Sequence, residues 1–564
     1  MRFKNWEIGG FDRDTAVNFY KKEGLNPLIS VFLTSRGLSD IEEVRMLLQS
    51  DTSKIHDPFL MTDMDKAVAR IILAIDRKEH ITIYGDYDVD GMTSCALLSH
   101  WLRSKDADFD IYIPKRQCEG YGLNIAALSE LKTRGTNLVI TVDCGVTAFE
   151  EAEHAKELGL GLVITDHHEC KSALPIADAV IDPKRHDCDY PNKAIAGVGV
   201  VFKLICALEK ETSINDMLSL YGDYVAIGTV ADVMPITEEN RVLIRHGIRI
   251  LNKNPRPGIH RLLSEAFTEK SKVTTGTIGF TISPRLNAAG RMGQPELSVS
   301  LLTTQDSKEA DELTSQLEYL NSERRRLEIE TFDDATAMLA SYEDQAPIVL
   351  AGRGWHQGVA GIVAAKISEQ YQLPTIIICI DEAGIGRGSS RSFGNFAIYD
   401  ALRSCEDILV SFGGHEMAAG VTINEENIDK LRNRFIEYYR NNIEIGYEPK
   451  LEIDFEVEKP ELLSISNVES MELLEPYGNG NPPPCLCIKN ATLVGLQSIG
   501  GGKHTRFSIE KGEASMDCIF FSMPADQLKV RDGMLVDVAF EPQINEFRGR
   551  SNVQLHVFDI RESN

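Results

Sequence analysis

Four short apolar runs in this chain each finish on an acid or an acid–imidazole pair. Ile81–Tyr84 leads into Gly85-Asp86-Tyr87-Asp88-Val89-Asp90-Gly91, and Leu138–Val142 leads into Asp143. Leu160–Thr165 leads into Asp166-His167-His168, and Val225–Val230 leads to Asp232. Between the runs lie helix-like stretches at Thr93–Arg103, Ile125–Thr133, Ala148–Leu158 and Val200–Lys210. That alternation predicts an α/β fold built on a doubly wound parallel sheet. Such a sheet gathers the carboxyl ends of its strands along one edge, where ligands bind. These aspartates and two histidines on one edge repel one another unless a cation holds them, so the pattern predicts a two-metal site.

The rest of the chain supplies further domains, as its 564 residues require. Residues 1–70 read as a helical, connective segment that includes much of the amphipathic stretch Thr62–Lys78. The sheet domain is expected over 71–235. A helical connector follows over 236–344, with a break at Asn254-Pro255-Arg256-Pro257-Gly258 and a polar loop over Ile282–Gly293. It ends in a long interdomain helix, Lys308–Ala340, whose apolar side is Leu313, Leu317, Leu320 and Leu327. A second, smaller α/β domain is expected over 345–445, with strands at Pro347–Ala351 and Thr375–Ile380 around a helix at Val359–Tyr371. Over 450–564, five short alternating runs separated by glycine-rich turns predict an all-β C-terminal OB-fold.

Composition excludes some classes of protein. The chain is 43% hydrophobic and 26% charged and has no apolar run of about 18 residues, so no membrane span is expected. Met1–Asp14 does not read as a signal peptide, and a cytoplasmic location is expected. The 11 cysteines are scattered, without zinc-finger spacing. The net charge of −26 argues against long-range attraction to nucleic acid, although a locally basic groove suffices for binding.

The acidic loop Gly85–Gly91 has two bland alternatives: a solvated acidic turn, or a calcium loop. The second fails because no Glu stands at the twelfth position of an EF-hand loop. Carboxylates with an imidazole and no thiolate favour Mn²⁺ or Mg²⁺ over zinc. Two such ions would serve metal-assisted phosphoester hydrolysis.

The motifs also match a known family. Gly85–Gly91, Val142-Asp143-Cys144-Gly145, Asp166-His167-His168 and Ala231-Asp232-Val233 resemble the successive motifs of the DHH phosphoesterase superfamily. Pro284-Arg285-Leu286-Asn287-Ala288-Ala289-Gly290-Arg291, Gly354–Ile362, Gly388-Ser389-Ser390-Arg391-Ser392 and Phe412-Gly413-Gly414-His415 continue the match to its RecJ exonuclease family. The resemblance implies a 5′→3′ exonuclease that hydrolyses single-stranded DNA to mononucleotides in recombination and repair, using Mn²⁺ or Mg²⁺. It implies that Asp86 and Asp88 hold one ion, that Asp90, His167 and Asp232 hold the other, and that Asp143 bridges them. His168 would then sit beside the reacting phosphate.

The second α/β domain resembles DHHA1, the usual partner of the DHH domain, and its residues suit a substrate clamp. Arg391 with Ser389 can fork onto a terminal phosphate. His356 stands where a helix begins, an end that favours anions. Gly413 and Gly414 allow close backbone approach, and His415 adds a donor. Arg285, Asn287 and Arg291 are candidates for contacts with the entering strand. In the tail, Phe507, Phe520, Phe540 and Phe547, with Lys503, Arg506, Arg548 and Arg550, are candidates for stacking and backbone contacts, although most of those phenylalanines are expected to be core. A single-strand-binding protein and a RecQ-type helicase are the partners that the family implies, and a monomer is expected. Two other functions fit the same residues less well. One is a phosphodiesterase of small oligonucleotides or cyclic dinucleotides, and the other is a non-catalytic DNA-binding replication scaffold.

Overall fold

The computed structural model describes residues 3, 5–49, 51–114, 122–266, 272–339, 346–442, 450–547 and 550–563. It divides into two compact units, Thr52–Tyr447 and the pair Met1–Asp51 with Glu448–Asn564.

In the first unit, a five-stranded parallel sheet runs in the order Phe109–Tyr112, Ile81–Gly85, Leu138–Val142, Gly161–Thr165, Ala179–Ile181. Side chains alternate between two buried cores. Ile81, Ile83, Leu138, Ile140 and Val163 face one, and Tyr84, Val139, Leu162 and Ile164 face the other. Burial on both faces is why the strands read as continuous apolar runs. The register fixes the edge: Gly85 pairs with Val142, Val142 with Thr165, and Thr165 with Ile181. The next residue of each strand is therefore an aspartate in one row: Asp86, Asp143, Asp166 and Asp182. Two backbone bonds carry the ladder past the strand ends, Asp143 N–H to the Thr165 carbonyl and Asp166 N–H to the Ile181 carbonyl, both 3.0 Å.

Two expected features of this region differ. The run Val225–Val230 is not a strand but the last part of helix Ile214–Ala231. A short, wholly apolar run fits a buried helix as well as a buried strand, and Tyr221–Thr229 is buried on every side. Ile282–Gly293 is not a loop. It is helix Ser283–Arg291, entered from a π-helical turn over Ile278–Ile282, with Pro284 in its first turn, where no N–H is missed.

The connector includes helices Glu238–Lys253, Pro257–Ala266 and the 33-residue helix Ser307–Leu339. The second sheet runs Ser411–His415, Ala418–Asn424, Ile385–Arg391, Thr375–Ile380, Ile348–Arg353, with only the last pair parallel. The motif Gly388–Ser392 lies largely in strand Ile385–Arg391, where a Cβ at Gly388 would stand 2.8 Å from the Val421 side chain and 2.9 Å from that of Ile378 on the flanking strands.

In the second unit, strand Leu486–Ile499 pairs with both His504–Lys511 and Leu535–Phe547, which closes the β-sheet into a barrel. The expected 1–70 segment is divided in the structure. Strand Asn5–Ile8 pairs in parallel with Lys450–Ile453, and helices Arg13–Glu23, Pro27–Ser35 and Ile41–Leu48 accompany the barrel. Phe19, Leu28, Phe32 and Val44 share one core with Phe455, Leu486 and Phe540. Arg36 ties the joint by an ion pair to Asp454 at 2.9 Å.

Candidate metal centre and phosphate clamp

Each acid of the sheet edge is set in place by backbone. Asp88 caps helix Val89–Ser104 by accepting from Gly91 N–H at 3.0 Å. That puts Asp90 in the first turn, where its two oxygens accept from Gly197 N–H at 2.7 Å and Val198 N–H at 2.9 Å. Those amides begin helix Gly197–Leu208, an end that favours negative charge. Asp143 has a positive φ of 62°, a region that aspartate tolerates better than most side chains. Only glycine fits opposite it, since a Cβ at Gly197 would stand 2.7 Å from the Asp143 side chain.

These elements bring the acids and imidazoles together in three overlapping groups. They are Asp86, Asp88 and Asp143; Asp90, His167 and Asp232; and Asp143, His167 and His168. In each, the ligand atoms lie within 4.8 Å of one another. His167 Nε2 is 3.1 Å from Asp143, 3.6 Å from Asp232 and 3.8 Å from Asp90. Asp143 belongs to two groups and so stands between the Asp86–Asp88 pair and the imidazoles.

The acids of this cluster outnumber the positive charge beside them. Burial, then the charges of Asp232 and Asp88, push the Asp90 carboxyl well above its ordinary range. Burial, then Asp90, does the same to Asp143. Asp232 is pushed up to about 7 by burial and by Asp88. It also stands at the carboxyl end of its helix, where the dipole disfavours an anion. Its buried Oδ2 accepts no hydrogen bond. Burial, then the neighbouring His168, lowers His167 to about 3, so its ring is neutral, the form that ligates metal. A divalent cation supplies what this donor set lacks, and oxygen-rich donors with an imidazole suit Mn²⁺ or Mg²⁺.

Asp166 is the functional residue that the motif reading passed over. Its oxygens accept from the N–H groups of His167 at 2.7 Å, His168 at 3.2 Å and Val146 at 2.9 Å. One of them also meets His168 Nδ1 at 2.7 Å. Burial disfavours charge on His168, but the Asp166 hydrogen bond and charge outweigh it and raise the ring to about 9. Asp166 thus anchors the backbone of both histidines, orients the His168 ring and keeps it cationic. Its place in the in-register row of aspartates was the available signal.

The second sheet assembles the clamp candidates by register. Ser389 pairs with Gly420, and Gly420 with Gly413; Arg391 pairs with Ala418, and Ala418 with His415. Residues two apart on a strand share a face, so Ser389, Arg391, Gly413 and His415 lie on one side. Arg391 donates to Ser389 Oγ at 3.1 Å and to the Ser390 carbonyl at 2.7 Å. His356 caps helix Gln357–Tyr371, its Nδ1 accepting from Gly358 N–H at 3.1 Å. Gly414 bends the exposed hairpin with φ of 143°.

Helix Ser283–Arg291 carries the other three candidates. Arg285 pairs with Glu318 of the long helix and donates to the Thr281 carbonyl at 2.9 Å. Asn287 is half-buried. Arg291 donates to the Gly358 carbonyl at 3.0 Å and so meets the start of helix Gln357–Tyr371. In the barrel, Phe507, Phe520 and Phe540 are almost fully buried, in line with the expectation that most of these phenylalanines are core. They lie on the inward period of their strands and belong to the core. Arg548 lies outside the described residues, as does the side chain of Phe547. Among the described residues the half-exposed Phe521, edge-on to His504 at 5.6 Å and to His556 at 5.1 Å, is an aromatic surface that the barrel offers.

Among known proteins, three family models match the chain: the DHH family N-terminal domain over residues 80–229, the DHHA1 domain over 344–441, and the RecJ OB domain over 453–559. The chain is 39% identical over 562 residues to the single-stranded-DNA-specific exonuclease RecJ of Bacillus subtilis, covering 99% of this chain and 71% of that one. It is 33% identical over 563 residues to RecJ of Dickeya dadantii, covering 94% and 96%. Its fold matches RecJ of Thermus thermophilus in complex with Mn²⁺ with a TM-score of 0.83 at 27% identity, covering 99% of this chain and 80% of that one. The match to the Mg²⁺ complex has a TM-score of 0.78 at 25% identity. Among the described residues, no helix is long and apolar enough to cross a membrane.

Proposed function

The chain belongs to the RecJ family of single-stranded-DNA-specific exonucleases, and from that premise we infer a 5′→3′ reaction that releases mononucleotides. It is a metal-dependent exonuclease of single-stranded DNA, and Mn²⁺ or Mg²⁺ is its cofactor. The observation that carries this reading is the in-register row of aspartates with His167, in a chain that matches the family from end to end.

Asp86 and Asp88 would hold one ion, Asp90, His167 and Asp232 the other, with Asp143 shared. Bound there, two divalent ions lower the pKa of an attacking water and draw charge from the phosphoryl oxygens. The protein's own part is placement and charge. His168, kept cationic by Asp166, faces the negative charge that gathers on the phosphoryl oxygens. Arg391 and Ser389 fork onto the terminal phosphate, and the capped helix start at His356 adds an anion-favouring end. Arg285, Asn287 and Arg291 line the approach of the strand. Gly413, Gly414 and His415 close around its end, and the barrel unit adds a single-strand-binding surface of its own, with Phe521 as a stacking platform. A single-strand-binding protein and a RecQ-type helicase are the partners of this reading, and a cytoplasmic monomer acting in recombination and repair is its setting.

Single-stranded DNA labelled at its 3′ end, its matched duplex and a dinucleotide, each with Mn²⁺, test the reading. Progressive shortening of the single strand from its 5′ end, with the duplex spared, is expected. Cleavage of the dinucleotide alone would move the protein to the small-phosphodiester class.

A further inference from the structure

A cavity of about 770 Å³ opens at the far end of helices Val89–Ser104 and Ile214–Ala231. His100 and Asp223 line it, while Asp90 and Asp232 of the metal centre lie toward or at the other ends of the same helices. At 1.5 Å per residue, that separates the cavity from the centre by about 13–15 Å. Nothing in the proposed exonuclease reaction uses it. Its volume is that of a small-molecule site, large enough for a nucleotide.

The wall is cationic in a chain of net charge −26. Arg256 is its fixed point. The guanidinium pairs with Asp223 at 2.7 Å, donates to the Leu220 carbonyl, and lies over the Tyr224 ring at 4.0 Å. It also meets His100 Nδ1 at 3.1 Å. Arginine only donates, so Nδ1 accepts, and a neutral His100 carries its proton on Nε2 as a donor. Arg249 and Lys253 add two charges from the end of helix Glu238–Lys253, both exposed. Pro257 and His260 bring the positive end of the ten-residue helix Pro257–Ala266 to the rim. Among the described lining residues, the one carboxylate is Asp223. Leu218 and Ile250 supply an apolar floor.

We propose that this cavity is a second anion site, which takes a phosphate-bearing small molecule: inorganic phosphate or the phosphate of a nucleotide. Arg249 and Lys253, the Nε2–H donor of His100 and a helix start are the chemistry that recognises phosphate, while Arg256, its own donors taken by Asp223, Leu220 and His100, fixes that donor in place. The apolar floor beside them suits the organic part of a nucleotide.

Calorimetric titration of the full chain with inorganic phosphate, and separately with deoxyadenosine 5′-monophosphate, tests this. Arg391→Ala protein in EDTA keeps the clamp and the metal centre from competing. Saturable binding is expected, weakened at least about tenfold by Arg249→Glu with Lys253→Glu. Tighter binding of the monophosphate identifies a nucleotide site, and equal binding identifies a phosphate site. No saturable binding, or binding unchanged by the charge reversals, overturns the proposal. If the double variant fails to fold by circular dichroism, the exposed single substitution Lys253→Ala decides, with a loss of about threefold expected.

Discussion

A Cβ at position 290 would stand 2.1 Å from the carbonyl oxygen of Tyr87, so helix Ser283–Arg291 rests on the backbone between Asp86 and Asp88. One turn of helix thus braces the metal loop, and its last residue, Arg291, bonds to Gly358 where the second domain's helix begins. The helix links the metal centre to the clamp.

The first prediction follows from that contact. Gly290→Ala must push the helix off the loop or move Asp86 and Asp88. Overpacking of this kind costs about 1–3 kcal/mol. A displacement of the order of 1 Å at a catalytic centre costs about 100-fold in rate. We predict a kcat loss of about 10–100-fold with Mn²⁺, with the ligands all present. An unchanged kcat would show that the loop does not depend on the helix.

Asp143 stands in two of the three ligand groups and has left-handed backbone geometry. Asn tolerates that geometry, so Asp143→Asn removes the charge without the backbone strain that most other residues would bring. We predict a loss of hydrolysis of at least about 1,000-fold with the far-ultraviolet circular dichroism retained. Activity equal to that of the unaltered protein would sink the two-ion reading.

Much of this centre was legible in the sequence because a parallel sheet converts strand ends into an edge. Asp86, Asp143 and His167 follow apolar runs whose register the fold then fixes. Asp232 was legible as a residue but not as a place. Its apolar run gave no periodicity to separate strand from helix, and the helix end that it occupies is visible only in three dimensions. Helix Ser283–Arg291 read as a loop because Pro284, Asn287 and Gly290 are helix-breaking by propensity. Packing against Tyr87 and the long helix overrides that propensity. The barrel phenylalanines were legible chiefly as core, and Phe507, Phe520 and Phe540 are buried; the exposed Phe521 was not legible, because alternation gives the face of each residue but not which face is inside.

The acids and the His168 ring give the metal-free protein a defined pH dependence. Asp232 has a folded-state pKa near 7, above its unfolded value of about 4, so its contribution is lost as pH rises through that window. His168 is raised to about 9, so its contribution is whole below about 6.5 and lost as pH climbs through 9. Both slopes run downward. A divalent ion replaces the protons and binds better as they leave. We predict that the difference in Tm between Mg²⁺ and EDTA samples widens from about pH 6 to about pH 9. A constant difference would mean that the ion binds elsewhere.

Arg391 is held by Ser389 and the Ser390 carbonyl in a pose that a shorter side chain cannot copy. A lost charge-assisted bond to phosphate costs about 1.5–3 kcal/mol. We predict that Arg391→Ala raises KM for 5′-phosphorylated single strands by roughly 10–100-fold. Ion binding measured by calorimetry should stay unchanged. Equal effects on phosphorylated and unphosphorylated ends would remove Arg391 from the clamp.

Phe32 belongs to the core of the barrel unit although hundreds of residues separate it from the barrel strands. It is 2% exposed, and its ring lies under the Arg36 guanidinium at 4.1 Å, which in turn pairs with Asp454. Phe32→Ala therefore empties a cavity in that core and loosens the ion pair. Truncations of this size cost about 3–5 kcal/mol. A chain of two compact units need not unfold in one step, and Mg²⁺ raises only the transition of the unit that binds it. We predict that scanning calorimetry of Phe32→Ala lowers the Mg²⁺-insensitive transition and leaves the Mg²⁺-sensitive one in place. If the Mg²⁺-sensitive transition falls instead, the N-terminal helices stabilise the metal-binding unit and the division of the chain at Asp51 is wrong.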